Sequence, residues 1–176
     1  ESKPFKTEGI KKLKIGVLKV KAVDSRIQQL IDSNLKEIEK NLNAEIKQVN
    51  IKYIDLAVQT YYLLVYAEFF SSTRIFDGRK YGKKIEEVGG QEVLRRILGG
   101  GIITQAEFEG AYYEKALHVK KIIRKEFEKV FKEVDCLILP TVPSLPWNLG
   151  EGKKMKPEQV YAADALTIPA NLAEVC

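Results

Sequence analysis

Few side chains in this sequence could act as nucleophiles. The serines are Ser2, Ser25, Ser33, Ser71, Ser72 and Ser144. A nucleophilic serine needs a base beside it and backbone N–H groups that stabilise the oxyanion, and none of the six stands in a glycine- and serine-rich block that could supply them. The adjacent Ser71 and Ser72 fall in a predicted helix, where serine hydroxyls bond back to the preceding turn. We therefore predict that this pair takes part in helix packing and not in catalysis.

The sequence offers little that would bind a metal ion or a phosphate group. His118 lies in a lysine-rich stretch without Cys, Asp or Glu at a metal-ligand spacing, so we interpret it as a surface residue. The glycine run at 99–101 is not followed by Lys-Ser or Lys-Thr, which argues against a phosphate-binding loop, and we predict that it ends a helix. Cys136 and Cys176 are too few for a disulfide framework or a zinc site.

Two strands joined by a helix are predicted near the beginning. Residues 14–20 and 45–51 read as short strands. Asp24 or Ser25 can cap the helix between them. Its apolar positions recur at the three-four spacing of one buried stripe: Ile27, Leu30, Ile31, Leu35, Ile38 and Leu42. Such a unit implies that the two strands are parallel neighbours.

The middle of the chain is predicted to be helical. Residues 54–75 are apolar on almost every side, and the length of this segment favours a buried helix over a strand. A short helix then ends at the glycine run. Thr104, with Glu107 three residues later, predicts a capping box for a long helix that ends near Phe131.

The last part contains an apolar strand at 136–140, ended by Pro140 and followed by a proline-rich loop. This loop begins where ligands often lie in an open α/β sheet, beyond the carboxyl end of a strand. A last helix is predicted to start near Pro157 and to carry Tyr161, Asp164 and Leu166. The predicted fold class is α/β, with a mixed, largely parallel sheet flanked by helices.

Composition excludes few classes of function. The 176 residues are 45% hydrophobic and 30% charged, as in an ordinary globular domain, and 29 basic against 24 acidic residues give a net charge of +5. Contact with tRNA or a membrane surface is one interpretation of that excess. A solvated, lysine-rich helical surface is favoured, because no block of like charge is long. No secretory or membrane-spanning segment is evident, so we expect a reducing cytoplasm. The chain lacks an initial Met and stops soon after Asn171, so we expect that both ends are cut.

Five blocks of sequence carry recognisable motifs. They are YYLLVYAE at 61–68 continuing to FDGRKYG at 76–82, EVLRRIL at 92–98, AYYEKA at 111–116, residues 134–143, and residues 161–173. In this order they resemble the amidase-signature family, in particular the A subunits of the glutamyl-tRNA(Gln)/aspartyl-tRNA(Asn) amidotransferases. The departures include Phe69-Phe70 for a small Ala-Ser pair, Ser72 for asparagine, and the glycine run. They are typical of a divergent, archaeal version.

The resemblance implies which part of the enzyme this is. The family's catalytic lysine and two serines lie in a segment upstream of the matching blocks. We therefore expect residues 1–176 to be one partial amidase domain, a middle-to-late part with an incomplete amidase-signature fold that lacks the upstream catalytic segment and the final strands. No catalytic residue is assigned to this chain, and on its own it is expected to be inactive.

The resemblance also implies a substrate site. Arg96 stands where the family binds the α-carboxylate of glutamine, which suits a planar guanidinium that donates two parallel hydrogen bonds. Asp164 stands where the family binds the α-ammonium, and Tyr61 matches a tyrosine that lines the same pocket. Without the resemblance we would interpret Arg96 as a solvated helix residue, Asp164 as a surface carboxylate and Tyr61 as a core aromatic. We expect the three to converge on one cavity near the loop after Pro140, with the charged groups of Arg96 and Asp164 within roughly 10 Å of each other.

The implied function is that of a glutaminase subunit. In the family, a serine attacks the glutamine amide and the ammonia passes to a partner subunit, which uses ATP and magnesium to amidate Glu-tRNA(Gln) or Asp-tRNA(Asn). The resemblance implies subunits B and C as partners, tRNA contact mainly through a partner subunit, no membrane, and no cofactor or metal in this subunit. Two alternatives are a stand-alone amidase of the same fold and a non-catalytic binding or scaffold module. Arg96 and Asp164 argue against the first, because most such amidases bind no zwitterion.

Overall fold

A computed structural model describes residues 12–18, 20 and 23–176. Ser2, one of the six serines considered above, and Lys19 of the predicted first strand lie outside the described residues. In the described part, the strands are Lys14–Leu18 (β1), Glu45–Val49 (β2) and Cys136–Ile138 (β3). The helices are Ser25–Leu42 (α1), Ala57–Thr73 (α2), Ile85–Val88 (α3), Gln91–Ile103 (α4), Ala111–Val130 (α5), Pro157–Ala162 (α6) and Ile168–Ala173 (α7).

The strands form a parallel sheet in the order β2-β1-β3. Ile15 pairs with Ile46 on one side and with Cys136 on the other. Four of the five residues of β1 are buried, as expected for a central parallel strand covered on both faces. The predicted α/β class, with parallel strands and flanking helices, is confirmed.

Helix α1 covers this sheet with a narrower face than predicted. Asp24 caps the helix by accepting a hydrogen bond from the backbone N–H of Arg26. Leu35 is buried in a core cluster with Ile15 and Val17 of β1 and Ala44, and Ile31 and Ile38 pack against this cluster. However, Leu30 and Leu42 are each 61% exposed, so the prediction of one buried stripe is wrong for these two. Leu30 lies about 100° around the helix from Ile31, and Leu42 is the last residue of the helix.

The chain divides into two compact units. Unit 1 contains residues 1–52 and 125–167, with the sheet, α1 and α6, whereas unit 2 contains residues 53–124 and 168–176, with α2, α3, α4 and α7. Helix α5 contributes residues to both units. In unit 2, α2 packs on α4 and on α7. The predicted helix at 54–75 is confirmed as a 3-10 turn followed by α2, but only five of the 17 residues of α2 are buried.

The prediction that the glycine run ends a helix is wrong, because α4 continues through it to Ile103. The run lies against α2. A Cβ atom on Gly100 would lie 2.1 Å from the carbonyl oxygen of Tyr66, and one on Gly99 would lie 2.6 Å from the Tyr66 ring. Gly99 and Gly100 are therefore needed for the close approach of the two helices.

Two other predicted helix boundaries are also wrong. Thr104 does not cap α5: its hydroxyl donates back to the carbonyl of Gly100 at 2.9 Å, so it ends α4, and α5 begins at Ala111 after a 3-10 turn. Helix α6 ends at Ala162, so Asp164 lies in a turn. The separate helix α7 then follows, with Ile168, Pro169, Leu172 and Ala173 buried.

Candidate functional site

Tyr61 lies on α2 and begins a stretch, residues 61–67, of aromatic and aliphatic side chains only. Its ring is half-buried and meets the Tyr62 ring edge to face, with 5.4 Å between centroids. Tyr62 in turn meets Tyr66, one helical turn further on, at 5.7 Å. Tyr61 therefore begins a row of three tyrosines in edge-to-face contact, an arrangement that aromatic pairs favour.

Arg96 lies on α4, in the same unit as Tyr61. Its Nε donates to Oε1 of Glu92 at 3.0 Å, and Nη1 of Arg95 donates to the other oxygen of the same carboxylate at 2.5 Å. The Arg96 side chain is 31% exposed, against 44% for Arg95. Glu92 thus holds the guanidinium of Arg96 from its Nε side. Sequence reasoning missed this partner, although the i, i+4 spacing of Glu92 and Arg96 predicts such a pair.

Asp164 lies in unit 1, in the turn that follows α6, and is exposed. The turn is formed by main-chain hydrogen bonds from Asp164 N–H to Tyr161 and from Thr167 N–H to Asp164, both of 3.1 Å. The Thr167 hydroxyl also donates to the Asp164 carbonyl at 3.2 Å. Tyr61 and Arg96 belong to unit 2. Their convergence with Asp164 on one cavity stays a prediction.

A cavity of about 1090 Å³ lies in unit 1 at the carboxyl ends of the three strands. Leu18, Asn50 and Pro140 line it, together with Gln28 and Asp32 of α1. The Gln28 amide donates to the Asp32 carboxylate at 2.8 Å. This is the location that the rule for open α/β sheets predicts for a ligand. Asp164 is not among the residues that line it. A cavity therefore lies where the ligand region near Pro140 is predicted, and the role of Asp164 in a glutamine pocket stays a prediction.

The hydroxyl groups of Ser71 and Ser72 are used within α2. Ser71 donates to the carbonyl of Ala67 at 3.0 Å and Ser72 to that of Phe69 at 3.1 Å. The predicted bonding to the preceding turn is confirmed.

Burial raises the pKa of the Cys136 thiol, and the nearby Asp135 carboxylate raises it further. Cys136 is therefore a poor nucleophile at neutral pH.

His118 is exposed on α5, as predicted. Among the described residues, no group of three or more His, Cys, Asp or Glu side chains could hold a metal ion. In the same part of the chain, no helix has the length and apolar character needed to cross a membrane.

A known class of proteins shares this parallel sheet with its flanking helices, and also the helices of unit 2 that carry the sequence motifs. The chain belongs to the amidase family, whose sequence model matches residues 2–176. It is 47% identical over 178 aligned residues to the A subunit of glutamyl-tRNA(Gln) amidotransferase from Methanocaldococcus jannaschii, and the alignment covers 100% of this chain and 40% of that protein. It is 45% identical over 168 residues to the corresponding protein of the same name from Methanothermobacter thermautotrophicus, covering 94% of this chain and 36% of that one.

Solved structures agree with these relationships. The A subunit of glutamyl-tRNA(Gln) amidotransferase from Thermotoga maritima aligns with a TM-score of 0.68 and 32% identity, over 92% of this chain and 33% of that one. An allophanate hydrolase of Kluyveromyces lactis aligns with a TM-score of 0.73 at 23% identity, over 96% of this chain and 26% of that one, and supports the fold alone. The expected resemblance to archaeal amidotransferase A subunits is confirmed. The chain spans about 40% of the length of these curated relatives.

Proposed function

We propose that the protein carrying this chain is the glutaminase subunit of a tRNA-dependent amidotransferase. The observation that carries this proposal is the 47% identity over the whole chain to the A subunit of an archaeal amidotransferase. In this function, a serine attacks the side-chain amide of glutamine, ammonia leaves, and water hydrolyses the acyl-enzyme. The ammonia passes to a partner subunit that amidates Glu-tRNA(Gln) or Asp-tRNA(Asn).

In this proposal, the chain recognises the amino-acid end of glutamine. Arg96 binds the α-carboxylate, Asp164 binds the α-ammonium and Tyr61 lines the pocket. The contact between Glu92 and the Nε of Arg96 supports this role, because a guanidinium that is already held in one orientation loses less freedom when it binds a carboxylate.

The nucleophile and its base come from another part of the protein. This assignment is supported by the hydroxyls of Ser71 and Ser72, which donate hydrogen bonds to carbonyls of their own helix. The glutaminase itself needs no cofactor, and ATP and magnesium act in the partner subunit. Its partners are subunits B and C, with tRNA bound mainly through the partner, in the cytoplasm.

The test of substrate recognition uses the intact protein with its partner subunits. Removing one member of a buried, hydrogen-bonded charge pair typically costs about 2–5 kcal/mol. We therefore expect Arg96→Ala and Asp164→Asn each to lower kcat/KM for glutamine by about thirtyfold or more. Arg95→Ala is the matched control, since Arg95 binds the same Glu92 carboxylate but is more exposed. It should leave kcat/KM close to that of the parent.

The alternatives give different results in the same assay. If Arg96→Ala and Asp164→Asn both use glutamine as well as the parent does, the recognition of a zwitterion is wrong. Efficient hydrolysis of a simple aliphatic amide without partner subunits would indicate a stand-alone amidase. If the assembled complex releases no ammonia from glutamine, the glutaminase proposal fails and a scaffold role is favoured.

A further inference from the structure

An irregular, strongly basic segment connects α2 to α3 in unit 2. Together with the first two residues of α3, we define it as the basic loop, residues 74–86. Its basic residues are Arg74, Arg79, Lys80, Lys83 and Lys84, and it carries two exposed aromatic rings, Phe76 and Tyr81. Every residue from 74 to 84 is exposed.

The two ends of the basic loop are held together. Arg74 forms an ion pair with Glu86, and its guanidinium carbon lies 4.8 Å from the centre of the Phe70 ring. Inside the loop the chain folds back on itself: Gly78, with φ of 76°, lies so close to Lys84 that a Cβ atom would come within 2.9 Å of its Cγ. Compact surface loops with adjacent ends are frequently functional.

The acidic residues of the loop are used to fold it. Oδ1 of Asp77 accepts hydrogen bonds from the backbone N–H of Arg79 at 2.9 Å and of Lys80 at 3.2 Å. Hydrogen bonding to the Arg79 N–H is the main cause that lowers the pKa of Asp77. Glu86 is paired with Arg74. The side chains of Arg79 and Lys83 form no ion pair with any residue that the structure describes.

The aromatic side chain at the tip is combined with the positive charge. The Tyr81 ring is 50% exposed, and the Lys80 ammonium lies 5.3 Å from its centroid. Exposed cations attract phosphates and release their counterions, and an exposed aromatic face stacks on an unpaired base. A charged loop without an amphipathic helix is less suited to insertion into a membrane surface.

We propose that the basic loop contacts the phosphate backbone of RNA, and that Tyr81 stacks on an unpaired base. Four cations, at 79, 80, 83 and 84, face solvent within six positions, whereas the lysines of α5 are spread along a regular helix of 20 residues. The choice of tRNA as the RNA rests on the proposed function. The proposed contact with RNA rests only on the exposed cations and the Tyr81 ring of the basic loop.

The experiment measures binding of fluorescent tRNA to the intact protein, alone and in its assembled complex, at several salt concentrations. The loop variant replaces Arg79, Lys80, Lys83 and Lys84 with Gln. The control variant replaces Lys115, Lys121, Lys125 and Lys132 with Gln, which removes the same charge from exposed positions in and just after α5. We expect the loop variant to bind at least about tenfold more weakly at 0.1 M salt, and the slope of log K against log salt to fall by about 3.

The control variant should bind nearly as the parent does. Tyr81→Leu should weaken binding to tRNA and single-stranded RNA but not to duplex RNA, which offers no unpaired base. Lys83→Glu, a single exposed change, gives the same direction of effect if the quadruple variant does not fold. Equal weakening by the loop and control variants overturns the proposal, as does loop-dependent binding to anionic phosphatidylserine vesicles without binding to tRNA.

Ammonia release from glutamine is measured on the same variants and should be unchanged by the loop substitutions. Loop-dependent RNA binding without glutamine hydrolysis contradicts the proposed function alone. Glutamine hydrolysis without loop-dependent RNA binding contradicts the RNA contact alone.

Discussion

Asp24 joins the first helix of unit 1 to the loop after β3. Its carboxylate accepts hydrogen bonds from the backbone N–H, Nε and Nη2 of Arg26, at 2.9, 3.0 and 2.9 Å. Its own N–H donates to the carbonyl of Pro143 at 2.9 Å. The hydrogen bonds from the Arg26 side chain, followed by that from its backbone, hold the pKa of Asp24 at about 2. One residue therefore caps α1 and fixes where the proline-rich loop begins.

This lowered pKa predicts a pH dependence of stability. Because the folded-state pKa lies below the ordinary value of 3.8, the contribution of Asp24 is fully present above pH 4 and is lost as the pH falls toward 2. Asp24→Ala should lower the melting temperature at pH 7, because the cap is lost. Asp24→Asn keeps a good capping residue but does not titrate, so the difference between parent and Asp24→Asn should shrink from pH 4 to pH 2. A difference that is constant over this range would contradict the assignment.

Among single residues, the sequence indicates some partners and not others. The i, i+4 spacing alone predicts the ion pair of Glu92 and Arg96. Helix geometry predicts the hydrogen bonds from the Ser71 and Ser72 hydroxyls to carbonyls of the preceding turn. The proposed roles of Arg96 and Asp164 came from the resemblance, because an arginine on a helix and an aspartate near a helix end have ordinary structural uses. Composition gives no way to distinguish those uses from ligand binding.

The packing of α2 against α4 depends on which glycine of the run faces the partner helix. A Cβ atom on Gly100 would meet the Tyr66 carbonyl at 2.1 Å, whereas one on Gly101 would come no closer than 3.4 Å to the Phe70 ring. We expect Gly100→Ala to destabilise the intact protein by about 1–3 kcal/mol or more through overpacking. Gly101→Ala should be neutral or stabilise it by up to about 1 kcal/mol, because alanine favours the helix.

Urea unfolding of the parent and both variants measures this difference. Equal free energies of unfolding for Gly100→Ala and Gly101→Ala would mean that the helices are not in close contact at Gly100. The same glycines explain why the sequence pattern predicts the wrong end for α4. Glycine often ends a helix by adopting positive φ. In α4 the glycines instead allow the close approach of α2. A local sequence pattern cannot show this, because it does not contain the position of α2.

For the whole molecule, the α/β class and the parallel β1–β2 pair could be predicted from the order of strand and helix patterns. The pairing of β3 with β1 could not be derived from a local pattern, since Lys14 and Asp135, which exchange hydrogen bonds, are 121 positions apart. The division into two units also depends on long-range contacts that hydrophobic periodicity does not specify.

The proposed placement of the nucleophile predicts how residues 1–176 behave alone. We expect this purified chain to release no ammonia from glutamine above background, because the hydroxyls of Ser71 and Ser72 are bonded to carbonyls of their own helix. Circular dichroism provides the control for folding. Reproducible turnover that survives Ser71→Ala with Ser72→Ala would place a nucleophile elsewhere in this chain. Turnover that is lost in the double variant would contradict the family-based placement itself.

The discontinuous sheet has a consequence for the chain during its synthesis. β1 and β2 are joined by one helix and can pair early, whereas β3 follows β2 by about 90 residues, including the whole segment 53–124 of unit 2. At the usual ribosomal rate of about 5–20 residues per second, the side of β1 that receives β3 stays unpaired for roughly 5–20 s. During that interval the strand can pair with another nascent chain. The nascent chain therefore has a temporary second unpaired edge along β1, and a chaperone that shields this strand would act in the interval before β3 emerges.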